Sequence, residues 1–85
     1  MNTEILKKLE EAIWEEVLVH KNDWEEHVWW FEDSAGMETV FEKAGLDITK
    51  ESEETLVEAE RILFEVEKEV FGKTLKEVLY CEEND

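Results

Sequence analysis

Residues 49–71 read TKESEETLVEAERILFEVEKEVF and form the longest unbroken periodic run in the chain. Leu56, Ala59, Ile62, Leu63, Val66 and Val70 recur at the three-and-four spacing of one helix face. Thr49 or Ser52 can cap the start. Glu51, Glu53 and Glu54 place negative charge at the positive end of the helix dipole. Gly72 follows Phe71 and suits a left-handed stop. This run predicts a long helix around which the rest of the chain packs.

Val57, Phe64 and Phe71 are spaced by seven and form a second apolar stripe on the same run, about 100° from the first. Glu60 and Glu67 fall between the stripes. Either neighbouring helices cover both stripes and the two glutamates reach solvent at a seam, or one stripe meets a partner. On the outer side lie Glu54, Glu58, Glu65 and Glu69, interrupted by Arg61 and Lys68, which can pair with them at i±3 or i±4.

Working outward, the other segments are shorter. A first helix is predicted from Thr3 to His20, with Ile5, Leu6, Leu9, Ala12, Ile13, Val17 and His20 on one face. Trp14 and Leu18 lie four apart on the other side, as an exposed pair or a second contact surface. Lys21-Asn22-Asp23 breaks it, and Asp23 followed by Glu26 has the form of a capping box. A second helix then runs from Trp24 to Asp33, with Trp24, His27, Val28 and Phe31 inward. Ser34-Ala35-Gly36 reads as a turn, Met37 to Ala44 as a short helix ended by Gly45, and Thr74 to Tyr80 as a last helix. Glu82 to Asp85 reads as a frayed acidic end.

The expected fold is all-α. It is a small compact bundle of about four to five helices with one long central helix, and residues 1–85 form one domain. The absence of proline and the presence of only three glycines favour helices over a sheet. The main alternative is a β-hairpin at residues 17–31, because β-branched and aromatic residues fill 17–20 and 27–31; the fold would then be α+β.

Twenty-five acids face nine bases, for a net charge of −16. Residues 1–33 carry ten acids and three bases, and residues 34–85 carry fifteen and six, so the acidity is not an appended tail. This charge repels nucleic acid and anionic membranes and attracts basic proteins. It exceeds the magnitude of about 2–8 that serves a small domain for solubility. No run approaches the roughly 18 apolar residues that span a bilayer, and Met1 to Lys8 lacks an apolar leader core. Cys81 is alone, which fits a reducing compartment. The expected location is the cytoplasm.

No motif for catalysis, cofactor or metal stands out, and the expectation is a binding protein, not an enzyme. His20 and His27 are the only histidines, and their carboxylate neighbours Glu16 and Asp23 do not complete a zinc or di-iron set. Phe41 to Leu46 resembles the turn of a helix-turn-helix unit. The helix that follows would bring Glu51, Glu53, Glu54 and Glu58 against phosphates, which argues against direct DNA binding.

Four tryptophans in so short a chain are dense, and Trp29 and Trp30 cannot both face one core from one helix. The pair either bridges two neighbouring helices or anchors an interface, ringed by Glu25, Glu26, Glu32 and Asp33. The candidate partner-binding residues are therefore Glu25, Glu26, Trp29, Trp30 and Glu32, with Glu54, Glu58, Glu65 and Glu69 on the long helix. The expected partner is a basic, nucleic-acid-binding protein whose groove the acidic helices occupy. The alternative is an antitoxin-like or adaptor module that self-associates through its aromatic stripes. Either form would be a monomer or a small homo-oligomer.

Overall fold

A computed structural model describes residues 3–80. Five helices follow in order: α1 Thr3–Val19, α2 Trp24–Phe31, α3 Ser34–Lys43, α4 Glu53–Phe71 and α5 Leu75–Tyr80. A single 3₁₀ turn, Ile48–Lys50, precedes α4, and no strand occurs among the described residues. The chain is an all-α bundle built on the long helix α4. The expectations for Cys81 and for Glu82 to Asp85 lie outside the described residues.

The hairpin alternative at 17–31 is overturned. A strand would put Val17 and Val19 on one face. Val17 is fully buried and Val19 is 67% exposed, which a helix explains and a strand does not. Asp23 then stops and restarts the chain: its carboxylate accepts the Glu26 N–H at 3.1 Å and caps α2.

The start of α3 also differs from the sequence reading. Ser34-Ala35-Gly36 is the first turn of α3 and not a separate turn, because Asp33 caps it through the Ala35 N–H at 2.9 Å. Helix α2 accordingly ends at Phe31, before Asp33. Gly36 is needed where α2 and α3 meet. A Cβ there would lie 2.8 Å from both the Trp30 carbonyl oxygen and the Phe31 ring. At the far end of α3, Gly45 adopts φ +78°. Leu46 N–H reaches Phe41 O at 2.8 Å and Gly45 N–H reaches Glu42 O at 3.0 Å, a Schellman stop.

Two short caps position α4. Asp47 accepts the Thr49 N–H at 3.0 Å and the Thr49 hydroxyl at 2.6 Å, which folds the 3₁₀ turn. Ser52, and not Thr49, caps α4 through the Thr55 N–H at 3.3 Å. Gly72 closes it at φ 74°.

Helix α1 lies along α4, and Leu9, Ile13 and Val17 pack with Ala59, Ile62, Leu63 and Val66 in the core. Phe31, Val40, Phe41 and Leu75 close it from α2, α3 and α5. Leu56 and Val70, read as core from their spacing, are only partly buried, because they sit in the first and last turns of α4 where fewer elements cover them.

The second stripe of α4 is covered unevenly. Phe71 meets the Trp24 ring edge-on at 4.9 Å, Phe64 is half-buried, and Val57 is 56% exposed. Of the two glutamates between the stripes, Glu60 reaches solvent as expected. Glu67 does not: it is fully buried, because α2 crosses α4 there and supplies His27.

Candidate functional site

The candidate residues fall on two separate surfaces. On α2, Glu25, Glu26 and Glu32 stand four before, three before and three after Trp29, so all three carboxylates neighbour its indole on one helix face. Trp29 is 64% exposed and the three glutamates are exposed. Trp30 turns the other way. Its indole N–H donates to Glu16 Oε1 at 3.0 Å on α1, and its ring lies 6.4 Å from that of Trp29. The adjacent tryptophans thus split the two roles: Trp30 bridges helices and Trp29 faces water.

On α4, Glu54, Glu58, Glu65 and Glu69 line the outer side. Arg61 sits among them, pairing with Glu58 at 2.9 Å and Glu65 at 2.8 Å. The guanidinium lowers the Glu58 carboxyl below its ordinary value, and Glu58 in turn raises Arg61. Two of the four acids are therefore partly neutralised within the helix, whereas Glu54 and Glu69 have no ion pair among the described residues. Helix α2 packs against the Glu67 and Phe71 side of α4. Glu65 lies about 200° around the helix from Glu67, so the α2 and α4 sets do not merge into one patch.

Two acids point inward, and the sequence reading missed both. Glu16 is 7% exposed; one oxygen accepts the Trp30 N–H and the other pairs with Lys43 at 2.7 Å. Lys43 also reaches Glu15 at 3.3 Å, and these carboxylates, Glu16 first, raise its pKa. Glu67 shares a hydrogen bond with His27 Nε2 through one oxygen, and its other oxygen accepts the Leu75 N–H at 2.9 Å. The His27 ring is enclosed by Trp24, Phe31 and Phe71, at centroid distances of 5.4, 4.9 and 4.8 Å. A signal was present for Glu16, which stands seven after Leu9 and three after Ile13 on the core side of α1. None marked Glu67, because Glu60 stands in the same relation to Leu56 and Phe64 and reaches solvent.

These inward groups are structural ties. Glu16 joins α1 to α2 and α3; Glu67 joins α4 to α2 and to the first turn of α5. His27 is committed to Glu67, and Asp23 to its cap, so the Asp23–His27 spacing gathers no ligand set. Among the described residues no group of three His, Cys, Asp or Glu side chains is placed to hold a metal ion. No described helix is long and apolar enough to cross a membrane.

Comparison with protein-family models, with curated proteins and with solved structures finds no match to this chain.

Proposed function

We propose that this chain is an acidic binding protein that inhibits a partner by occupying its basic, nucleic-acid-binding surface. The observation that carries the reading is where the acids lie. Among the described residues only Glu16 and Glu67 are buried, and every other acid is at the surface of a helix or its cap. On a helix, carboxylates three and four apart have Cβ atoms about 5–6 Å apart, comparable with phosphate separation along a nucleic-acid strand. Held on a bundle, such rows present a fixed anionic lattice that a basic groove accepts in place of DNA or RNA. Small acidic proteins of phages that block restriction or CRISPR enzymes act in this manner, and the analogy is one of size and charge.

A second reading has an observation of its own. Leu18, Trp29 and Val57 expose large apolar surface at 46%, 64% and 56%. A helical interaction module, antitoxin-like or adaptor, would use such residues to associate with itself or with a partner, and the acidity would then only keep it dispersed.

Capture on the immobilised chain separates the two. The mimic reading expects nucleic-acid-binding proteins to be retained at low salt and released both by moderate salt and by duplex DNA or RNA. Retention indifferent to salt and to nucleic acid supports the interaction module and ends the mimic reading.

A further inference from the structure

Trp14 and Leu18, on the outer side of α1, adjoin a groove. Between α1 and α4 lies an open depression of about 600 Å³. Trp14, Ile62 and Val66 form its apolar part; Glu10, Glu65 and Glu69 stand around it, with Lys68 as the one cation among the described lining residues. Ile62 and Val66 are buried, Trp14 is half-buried, and the three glutamates are exposed. Leu18, one turn after Trp14, extends the apolar strip at 46% exposure.

We infer that this groove is the docking site for an arginine-bearing segment of the basic partner, with one guanidinium laid on the Trp14 indole. The inference rests on the basic-partner reading above and assigns it a place. The volume falls within the range of about 300–1,000 Å³ typical of ligand pockets, but the groove is open along its length, which suits a side chain presented by a protein. A purely apolar segment would desolvate Glu10 and Glu69 without giving them a partner. An anionic one would meet three carboxylates. A guanidinium satisfies both parts of the groove, because its flat face stacks on an aromatic ring while its edge donates to carboxylates. The chain already displays half of this chemistry: Arg61 holds Glu65 at 2.8 Å on the adjoining face of α4. Lysine is the poorer occupant, since it lacks the planar fork. Arg61 competes for Glu65, so the groove binds more weakly than its three acids alone would allow.

The test is a titration of the ¹⁵N-labelled chain with an arginine-rich helical peptide, followed on the tryptophan indole N–H signals. The Trp14 signal is assigned from a Trp14→Phe variant. The same peptide with glutamine in place of every arginine is the control. The peptide is expected to shift the Trp14 signal and the control to leave it in place. Trp14→Leu is expected to weaken binding roughly two- to thirty-fold, the span from an exposed cation–π contact to one that loses water. Should Trp14→Leu fold poorly, the exposed pair Glu10→Gln and Glu69→Gln tests the same groove and is expected to weaken binding too. Arg61→Gln is expected to strengthen it by freeing Glu65. Binding that moves the Trp29 signal and leaves Trp14 still overturns the groove while the basic-partner reading stands. Equal binding of the glutamine control overturns the role of charge. No binding of either peptide overturns the groove and counts against the basic-partner reading as well.

Discussion

His27 Nε2 and Glu67 Oε2 share a hydrogen bond at a point where both side chains are fully buried. The bond joins α2 to α4, and through Glu67 Oε1 to the Leu75 N–H it also fixes the start of α5. Residues forty apart in sequence are thereby locked together inside a ring of Trp24, Phe31 and Phe71. Nδ1 of His27 lies buried with no hydrogen-bond partner among the described residues. Removing Glu67 strands both the His27 ring and the Leu75 amide, whereas removing His27 leaves the Leu75 bond in place. Glu67→Ala is expected to cost about 2–6 kcal/mol in denaturant unfolding, as two buried groups lose their acceptor. The double variant His27→Phe with Glu67→Leu is expected to cost less, because only the Leu75 amide is then left without its partner. Equal losses in the single and double variants would show that the pair contributes only through its volume.

Gly36 gives a test of the α2–α3 corner. At an ordinary helix position, glycine to alanine gains about 1 kcal/mol. Here the added Cβ meets a backbone oxygen and an aromatic ring at 2.8 Å. Gly36→Ala is expected to destabilise by about 1–3 kcal/mol, as overpacking does. Thermal melts that show stabilisation would mean that α2 and α3 sit farther apart.

The acid limb of stability has two identifiable contributors. The Thr49 hydroxyl and amide hold Asp47 below its ordinary value of 3.8, and Arg61 holds Glu58 below 4.5. A group whose pKa is lower folded than unfolded lends stability above the unfolded value and loses it as pH falls through the folded one. Asp47→Asn and Glu58→Gln should therefore lower stability at neutral pH slightly and flatten the loss below about pH 4.5. Lys43 runs the opposite way. Its pKa is raised, first by Glu16, so its contribution is full below 10.5 and disappears as pH rises through the folded value. Lys43→Met should remove part of the alkaline limb. Circular dichroism melts across the pH range check all three.

Salt acts on the whole surface. With a net charge of −16, self-repulsion opposes folding at neutral pH and low ionic strength. Moderate sodium chloride is expected to raise the melting temperature by screening it. A melting temperature that falls instead would mean that the Arg61 and Lys43 pairs outweigh the repulsion.

The helices were legible in the sequence because each carries its own local signal. The 49–71 period, Asp23, Gly45 and Gly72 set α4 and its neighbours without tertiary context. The start of α3 was not legible in the same way. Ser34-Ala35-Gly36 has turn composition, and the helix begins there because Asp33 caps it and Gly36 lets α3 approach Phe31. Glu67 was misplaced for a related reason. A glutamate beside an apolar stripe reads as a solvent seam until α2 brings His27 across it. Of the candidate surfaces, the α4 row was readable from spacing alone. The opposite fates of Trp29 and Trp30 depend on Glu16, a partner fourteen residues away. The groove beside Trp14 needs two helices to exist and no one-dimensional pattern announces it.

The central claim is that surface acids acting together drive association with a basic partner. Each exposed carboxylate contributes little alone, about 0.2–1 kcal/mol where it is paired, because water and salt screen it. A single Glu→Gln on α4 should barely register. The decisive measurement is surface-plasmon kinetics on the captured partner with Glu58, Glu65 and Glu69 reversed together to lysine, with nucleic acid as competitor, and with Trp29→Ala alongside. The account predicts an association rate that falls by orders of magnitude for the triple reversal, competition by nucleic acid, and faster dissociation for Trp29→Ala. An unchanged association rate, with no competition by nucleic acid, would contradict it.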